Sequence, residues 1–367
     1  MVAELKGHHW ANYTLGNAIQ QYTTDLLILE VAPQIVLLSV GDNANDEFVK
    51  SIRKKLYHLF LPNSSLKIAD LGHFSGSVDL LPEVIARLRK YGSIPCILSP
   101  DQGTTFSMYL AFCKLETTVN ILSVDDKVDL DEAGEIIGND NWLSHILGYT
   151  PNYLFNYTLL GNQSYFCNPA MTEMLQSLNF DIHRLGNLRK SIQNSEPIFR
   201  NSDIVSFDLS SIRSSDCTDS LRKEPNGLYA EEACQLLRYA GMSNKVSCLG
   251  IFGWDYIQNN RQSSTPSLIA QLIWHFLDGF VNRIDDGIIG NEEEYIIYKI
   301  GSEDLSLDLI FYKNIKNGRW WMNVPINDHK KGKFNRHHMV PCTIDDYKQA
   351  MNGEIPDTWW QTFQKLL

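Results

Sequence analysis

The sequence has few cysteines, a deficit of basic residues and no long apolar run. Its seven cysteines are irregularly spaced without a Cys-x-x-Cys pair, which favours buried free thiols in a reducing compartment. No stretch approaches the roughly 20 apolar residues of a transmembrane helix. The first nine residues also lack the charged start and apolar core of a signal peptide. We therefore expect a cytoplasmic protein without a membrane span.

The charge balance excludes one class of partner. The chain carries 32 Lys and Arg against 43 Asp and Glu, a formal net charge of −11. Because nucleic-acid binding requires a basic excess to neutralise phosphates, this balance argues against nucleic-acid partners. With 367 residues, 44% of them hydrophobic, the chain is long enough for one large α/β domain or two smaller ones.

Apolar runs alternate with amphipathic segments up to about residue 286. The pattern predicts strands near residues 35–40, 66–72, 94–99, 118–124, 204–207 and 246–252. It predicts helices near residues 46–59, 81–91, 105–113, 230–241 and 268–280. Near-continuous apolar strands separated by helices indicate a three-layer αβα sandwich with a mostly parallel, doubly wound sheet. Ligands in such folds bind at the carboxyl ends of the strands.

The pattern changes after residue 286. Residues 294–300 and 305–312 alternate like antiparallel strands, residues 319–324 resemble a third strand, and the chain ends in a helix. We therefore predict an α/β domain over residues 1–286 and a β-rich C-terminal extension over residues 287–367, packed on it. Four of the eight tryptophans lie in this extension's last fifty residues, and paired tryptophans are typical of core or interface anchors. The extension is thus a candidate surface for a protein partner.

Carboxylates cluster where two predicted strands end. Asp125 and Asp129 follow the strand at residues 118–124, and Asp208 follows the strand at residues 204–207. Closely spaced carboxylates at the rim of a sheet are oxygen ligands suited to a cation. The alternative for any single Asp is a helix cap or a turn.

These stretches resemble the metal-binding signatures of the arginase, agmatinase and formimidoylglutamase (ureohydrolase) family. Residues 124–129 resemble Asp-x-His-x-Asp, and residues 206–210 resemble the start of Ser-Phe-Asp-x-Asp-x-x-Asp-Pro. Residues 99–103 correspond to Gly-Gly-Asp-His-Ser, with Asp101 conforming to the motif, and residues 226–233 resemble Gly-Gly-Leu-x-x-x-Glu-Ala. The resemblance runs in family order over residues 35–285. It implies an arginase-like fold and two Mn²⁺ ions bridging a hydroxide that attacks a guanidinium or formimidoyl carbon.

Three of the six implied metal ligands are replaced. The carboxylates Asp125, Asp129 and Asp208 remain, and they are the remnant metal ligands and candidate catalytic residues. Gln102 and Lys127 stand where the family has ligand histidines, and Ser210 stands where it has an aspartate. We therefore expect no cofactor, with Mn²⁺ as the ion if the site functions after all. Restoring the three ligands together is expected to restore manganese affinity if the rest of the cavity is intact.

The replaced positions suggest an ion-pair network. Lys127 is expected to occupy the vacated metal position and to pair with Asp125, Asp129 or Asp208. Arg213 stands at the motif's next acidic position and would join the network if its loop folds inward. That loop, residues 210–223, is rich in Ser and Asp and is predicted to be a surface loop.

Two further positions follow from the resemblance. Ser144-His145 resembles a family loop whose histidine moves protons to the leaving amine, although a lone histidine is also a common surface residue. The resemblance also implies a later glutamate that grips the cationic group of the substrate, and within residues 250–255 it is either replaced by Gly253 or absent.

Three functions remain open. The first is a non-catalytic homologue that acts as a scaffold or binding subunit, a homo-oligomer by family resemblance. The second is an active ureohydrolase that cleaves a guanidino or formimidoyl C–N bond, with one metal on Asp125, Asp129 and Asp208 and His145 as acid and base. The third is a sensor that binds a guanidino or amino-acid ligand without turnover.

Overall fold

The computed structural model describes residues 10–21, 32–41, 47–255, 263–285, 287, 292–302 and 307–367. The first nine residues, on which the expectation about a signal peptide rests, lie outside this set.

The core of the fold is a nine-stranded sheet in which every pair of neighbours is parallel. Its strands are β1 (Gln20–Gln21), β2 (Ile35–Val40), β3 (Ile68–Phe74), β4 (Ile94–Leu98), β5 (Val119–Val124), β6 (Leu154–Asn162), β7 (Asp181–Arg184), β8 (Ile204–Asp208) and β9 (Cys248–Phe252). Their spatial order is β1-β3-β2-β4-β9-β8-β5-β6-β7. The predicted parallel sheet is confirmed, and β1, β6 and β7 are additional strands.

Helices follow most of these strands. They are α1 (Leu15–Ala18), α2 (Glu47–His58), α3 (Leu81–Lys90), α4 (Thr104–Lys114), α5 (Trp142–Gly148), α6 (Pro169–Ser177), α7 (Leu185–Lys190), α8 (Glu196–Arg200), α9 (Ala230–Met242) and α10 (Thr265–Val281). The five predicted helices correspond to α2, α3, α4, α9 and α10.

Both faces of the sheet are buried. Leu37 belongs to a core built with α2, α9 and α10, whereas its neighbour Leu38 belongs to a core built with α3, α4 and α5. Because successive strand residues point to opposite faces, this division requires one layer of helices on each side of the sheet. The predicted three-layer αβα sandwich is therefore confirmed.

The C-terminal part contains a second, antiparallel sheet. Its strands, in spatial order, are β10 (Tyr295–Ser302), β11 (Leu307–Asn314), β12 (Trp320–Asn323) and β13 (Met339–Cys342). The short helix α11 (Lys331–Phe334) precedes β13, and α12 (Ile344–Met351) and α13 (Asp357–Leu366) complete the chain. Sequence patterning missed β13 because it contains Pro341. An edge strand tolerates proline, since one side of its backbone needs no ladder partner.

The C-terminal part contacts the α/β part through a ring stack and buried polar groups. Phe155 on β6 stacks on His337, with ring centroids 4.0 Å apart. Arg336 forms an ion pair with Asp203 and donates to the backbone carbonyl of Thr118. Arg200 donates to the carbonyl oxygen of Trp320 at 3.3 Å. These contacts agree with an extension packed on the sheet, while the boundary at residue 286 stays a prediction.

The other global expectations concern thiols and membranes. All seven cysteines are free, and five of them are buried. None of the helices within the described ranges combines the length and the apolarity needed to cross a bilayer.

Candidate functional site

The remnant carboxylates lie at the carboxyl edge of the sheet. Strands β5 and β8 are neighbours, with Val124 opposite Phe207, so that Asp125 and Asp208 leave the same edge side by side. Asp125 and Asp129 are 0% exposed and Asp208 is almost as deeply buried. Three carboxylates this close together and this deeply buried need compensation by a cation, by protons or by hydrogen bonds.

The compensating cation is Arg222. Its Nη2 donates to Asp125 Oδ1 at 2.8 Å and to Asp126 Oδ1 at 2.5 Å. Neither Arg222 nor Asp126 was expected at this site. The guanidinium also stabilises the charged form of Asp208. Arginine is suited to this role because its planar group keeps its charge and donates several hydrogen bonds in one plane.

The segment that carries Arg222 is a loop as predicted, with residues 215, 218, 221 and 223 exposed, but other parts of residues 210–223 fold inward against the expectation of a surface position. Ser210, Cys217 and Ser220 are fully buried in it. The backbone N–H of Arg222 donates to Ser210 Oγ at 3.3 Å. The substituted ligand position therefore helps to fix the backbone from which the guanidinium reaches the carboxylates.

Lys127 pairs with Asp129 as expected, although its closest carboxylate is that of Asp140, whereas Arg213 takes another position than expected. Lys127 forms its short hydrogen bond with Asp140, a loop carboxylate, and its Nζ lies 3.9 Å from Asp129 Oδ1. Arg213 does not join the network, because it pairs with Asp216 at 2.9 Å on the outer side of its loop. Lys127 therefore borders the carboxylate cluster, and Arg222 lies within it.

Two carboxylate oxygens in the cluster have no hydrogen-bond partner among the described residues. Asp129 Oδ2 accepts from Trp142 Nε1 at 2.9 Å, but Asp129 Oδ1 and Asp125 Oδ2 are buried without a donor. Burial raises the pKa of Asp129 to about 7, although Lys127 and Arg222 favour its charged form. Burial also raises the pKa values of Asp125 and Asp208. Burial therefore favours the protonated forms of these carboxyl groups, in opposition to the neighbouring cations.

The other two substituted positions make internal contacts. Gln102 Nε2 donates to Ser206 Oγ at 3.2 Å and is 3.4 Å from Ser123 Oγ, which are hydroxyls on β8 and β5. The backbone N–H of Ser210 donates to Asp208 Oδ1 at 2.6 Å. Gln102 is 1% exposed, so its amide is held among the buried hydroxyls between β5 and β8.

Gly253 excludes the side chain that the resemblance would place there. Its φ is +84°, a conformation that L side chains rarely adopt. A Cβ on Gly253 would also lie 2.4 Å from Asp208 Oδ1. A glutamate at this position is incompatible with the observed arrangement.

His145 lies in α5 and not in a loop, so its expected loop setting is wrong. Its ring packs beside Phe106 at 5.8 Å between centroids, and its Nε2 is buried with no hydrogen-bond partner in the part of the chain that the structure describes. Among the described residues, the structure gives no contact between His145 and Asp125, Asp129 or Asp208.

The residues present do not fit a pair of manganese ions. Within the described ranges, no group of three or more His, Cys, Asp or Glu side chains is placed to hold a metal ion. Imidazole and carboxylate are the donors expected for such a centre, yet Gln102 and Lys127 stand where the resemblance would place ligand histidines, and a guanidinium lies on Asp125.

A cleft of about 640 Å³ opens beside the cluster, at the ends of β2, β3, β4 and β9. Polar and aromatic residues line it, among them His73, Phe74, Asp101, Phe106 and Asp255. Sequence reasoning singled out Asp101 but missed His73 and Asp255. Their position at or just after strands β3 and β9 is the signal that would have found them.

No protein-family model and no curated protein matches the sequence. Solved structures do match. Formimidoylglutamase from Bacillus subtilis aligns over 76% of this chain and 96% of its own, with 16% identity and a TM-score of 0.64. Trypanosoma cruzi formiminoglutamase with Mn²⁺ aligns over 69% of this chain and 95% of its own, with 17% identity and a TM-score of 0.62. Arginase from Medicago truncatula aligns over 68% of this chain and 88% of its own, with 18% identity and a TM-score of 0.54.

The chain has the arginase-like fold. The resemblance read from the motifs is thereby confirmed at the level of the fold. At 16–18% identity the likeness extends no further than the fold, and activity has to be argued from the site itself.

Proposed function

We propose that the protein is a non-catalytic homologue of the ureohydrolases that acts as a binding or scaffold protein. One observation carries this proposal. The guanidinium of Arg222 donates to Asp125 and Asp126 at the edge of the sheet where the resembled family holds its metals.

The electrostatics of the cluster support the proposal. A divalent cation at Asp125 would have to displace a fixed guanidinium and to compete with protons held by carboxylates of raised pKa. Deprotonation costs about 1.4 kcal/mol for each unit by which a pKa exceeds the ambient pH. Displacing Arg222 is the larger obstacle, because its removal would leave Asp126 without its paired cation.

The groups required for turnover are also missing from the cluster. The candidate acid and base, His145, packs beside Phe106 in α5. Gly253 lacks the carboxylate that would grip a cationic substrate, and a larger residue there would collide with Asp208. These features disfavour the alternative of an active hydrolase with one metal.

The test is elemental analysis of the wild-type protein purified after growth in manganese-supplemented medium. The same preparation is assayed for hydrolysis of arginine, agmatine and formimidoylglutamate. We expect substoichiometric metal and no hydrolysis above background. Two equivalents of manganese per chain, or turnover of any of the three compounds, would overturn the proposal.

Ligand binding without turnover is a second candidate, favoured by the cleft beside the cluster. Its lining includes Asp101 and Asp255 and the aromatic residues Phe74 and Phe106, and none of the described lining residues is Lys or Arg. Carboxylates with aromatic rings favour a small organic cation. Thermal-shift measurements with arginine and agmatine test this candidate. Stabilisation that Asp255→Asn abolishes would support it, and no shift with either compound would reject it.

The C-terminal extension is a candidate surface for a protein partner, and Trp360 is the most exposed of its four tryptophans. Trp320 and Trp359 are buried and Trp321 is half-buried, whereas Trp360 is 41% exposed. Trp360 is therefore the residue through which a protein partner would be anchored, and a homo-oligomer is one such partner. Light scattering of the wild-type chain and of Trp360→Ala tests whether this residue holds copies together.

A further inference from the structure

A cleft of about 340 Å³ lies where the C-terminal part meets the amino edge of the parallel sheet. Lys245, which precedes β9, lines it together with Arg336 of the C-terminal part. Arg336 forms an ion pair with Asp203, which directly precedes β8, whereas Asp208 is the last residue of that strand. At roughly 3.3 Å per residue, about 16 Å separates these two ends of β8. The cleft is therefore distinct from the carboxylate cluster.

The lining of this cleft is rich in cations. Among its described residues, Arg200, Lys245 and Arg336 are basic, and Asp285 is the one acidic residue. Arg200 is already paired with Glu196 at 2.8 Å. In a chain of net charge −11, three basic side chains around one cleft are a local excess of positive charge. The cleft beside the carboxylate cluster, by contrast, has no Lys or Arg among its described lining residues.

One buried carboxylate compensates three of the cations at this edge. Asp203 is 0% exposed and forms its ion pair with Arg336. Its charge also stabilises the charged forms of Arg89 and Lys245. Three cations thus share one negative charge, and an anion in the cleft would balance the excess.

Lys245 and Arg336 have hydrogen-bond donors that the described residues leave unused. Lys245 Nζ donates to Asn201 Oδ1 at 3.1 Å and forms no ion pair within the described ranges. Arg336 donates to the carbonyl oxygen of Thr118 and to Asp203, which takes two of the five N–H groups of a guanidinium. The Arg336 side chain is 34% exposed, so the remaining donors can be reached by a ligand.

The environment of Lys245 disfavours its charged form while the cleft is empty. Burial lowers the pKa of Lys245 to about 8, against the favourable charge of Asp203 and with a further contribution from Arg336. A bound anion would favour the ammonium form, because an opposite charge nearby stabilises a cation. Binding of an anion and protonation of Lys245 are therefore linked.

Apolar surface lies beside these cations. Trp321 and Met339 line the same cleft and are half-buried, and Pro341 completes this part of the wall. The volume of the cleft lies at the lower end of the range for small-molecule sites. The combination fits a small anion that carries an apolar group.

We propose that this cleft binds a small organic oxyanion, either a carboxylate or a phosphate ester. Its charged group accepts hydrogen bonds from Lys245 Nζ and from the guanidinium of Arg336. Its apolar part packs on Trp321 and Met339. Charge-assisted bonds of this kind are among the strong hydrogen bonds of proteins, and the planar donors of arginine match the oxygens of both groups. The proposal is independent of the function of the carboxylate cluster.

Isothermal titration calorimetry on the full chain tests the proposal. The organic anions are benzoate and phenyl phosphate, benzyl alcohol is the neutral analogue, and inorganic phosphate lacks the apolar part. Lys245→Gln removes the charge but keeps a donor for Asn201 Oδ1. Lys54→Gln makes the same change at an exposed position of α2 and is the matched control.

We expect benzoate or phenyl phosphate to bind the wild-type chain and Lys54→Gln equally, and benzyl alcohol not to bind. Lys245→Gln should weaken the binding by about tenfold or more, the loss expected for one hydrogen bond to a charged group. Absence of binding by both organic anions at about 10 mM would overturn the proposal. Binding that Lys245→Gln leaves unchanged, or binding of inorganic phosphate as tight as that of phenyl phosphate, would overturn it equally.

Proton uptake gives a second measurement. At pH 8 Lys245 is partly deprotonated, so binding of the organic anion should take up as much as about half a proton. Titrations at this pH in two buffers of different ionisation enthalpy give the number of protons. Lys245→Gln should abolish the uptake, which separates it from any contribution of His338 in the same lining. Binding without uptake, or uptake that persists in Lys245→Gln, would place the anion away from Lys245 and overturn the proposal.

Discussion

Arg222 donates a 2.8 Å hydrogen bond to Asp125 although 97 residues separate them in the sequence. The two residues come from loops at the same edge of the sheet, and the guanidinium is only 27% exposed while the carboxylate is completely buried. A fixed organic cation thus compensates the buried carboxylates of this edge. The stability of this edge should depend on Arg222.

The first prediction is that Arg222→Ala lowers the free energy of unfolding by about 3 kcal/mol. This is the lower end of the range for removing one partner of a buried ion pair, since Arg222 keeps some contact with solvent. Urea denaturation at pH 7 measures the effect. Arg222→Lys keeps the positive charge but not the planar set of donors, so it should lower the free energy of unfolding by less than Arg222→Ala does. A loss below about 0.5 kcal/mol for Arg222→Ala would show that solvent already compensates the carboxylates.

The pairing of Arg222 with Asp125 could not be predicted from the sequence. The strands and helices of the sandwich were predictable because their apolar periodicity is local, and Val119–Val124 and Ile204–Asp208 read directly as buried strands. Lys127 was the expected cation because it lies within the motif. Which cation reaches Asp125 depends on how residues 210–223 fold back, and Ser and Asp residues favour loops without specifying their path.

The helical setting of His145 was not predicted from the sequence either. Its neighbourhood resembled a catalytic loop, yet the segment from Trp142 to Gly148 forms a helix that buries Trp142 and Leu143 in the core. The apolar residues of this segment recur at helical spacing, so it forms a helix although its sequence resembles the family loop.

The second prediction concerns pH. Asp129 has an ordinary pKa of 3.8, which burial raises to about 7 in the folded chain, against the favourable charges of Lys127 and Arg222. Between these values the folded state binds more protons than the unfolded state, so stability falls as pH rises from about 4 to 7. One such group contributes a slope of at most about 1.4 kcal/mol per pH unit.

Asp129→Asn should flatten this slope, because an amide can still accept from Trp142 Nε1 but does not titrate. The measurement is the free energy of unfolding in urea at half-unit intervals of pH. Asp131→Asn, at an exposed position two residues away, is the matched control and should keep the wild-type slope. If both variants follow the wild-type curve, Asp129 is already ionised at pH 4.

The third prediction separates the missing ligands from the added guanidinium. The triple variant Gln102→His, Lys127→His and Ser210→Asp restores the ligand types, but Arg222 still lies on Asp125. We expect the triple variant to bind little manganese and the quadruple variant with Arg222→Ser to bind it. Manganese content after dialysis, with Arg222→Ser alone as control, measures the difference. Equal manganese in the triple and quadruple variants would show that the guanidinium moves aside readily.

The fourth prediction concerns the adjacent tryptophans of α13. Trp359 is 0% exposed and donates from Nε1 to the carbonyl oxygen of Asn323 at 2.9 Å, whereas Trp360 is 41% exposed. Trp359→Ala would leave a cavity in the C-terminal core and an unpaired carbonyl, so it should lower the free energy of unfolding by about 3–5 kcal/mol. Trp360→Ala should cost less than about 1 kcal/mol, because it removes a side chain already in contact with water.

The pair is a matched comparison, since both changes remove the same side chain from neighbouring positions of one helix. Urea denaturation followed by circular dichroism gives both values without relying on the fluorescence that each change removes. If Trp360→Ala destabilises the chain as strongly as Trp359→Ala at high protein concentration but not on dilution, Trp360 is buried against another copy in solution. In that case the exposed tryptophan anchors an interface, and the loss measures association in addition to folding.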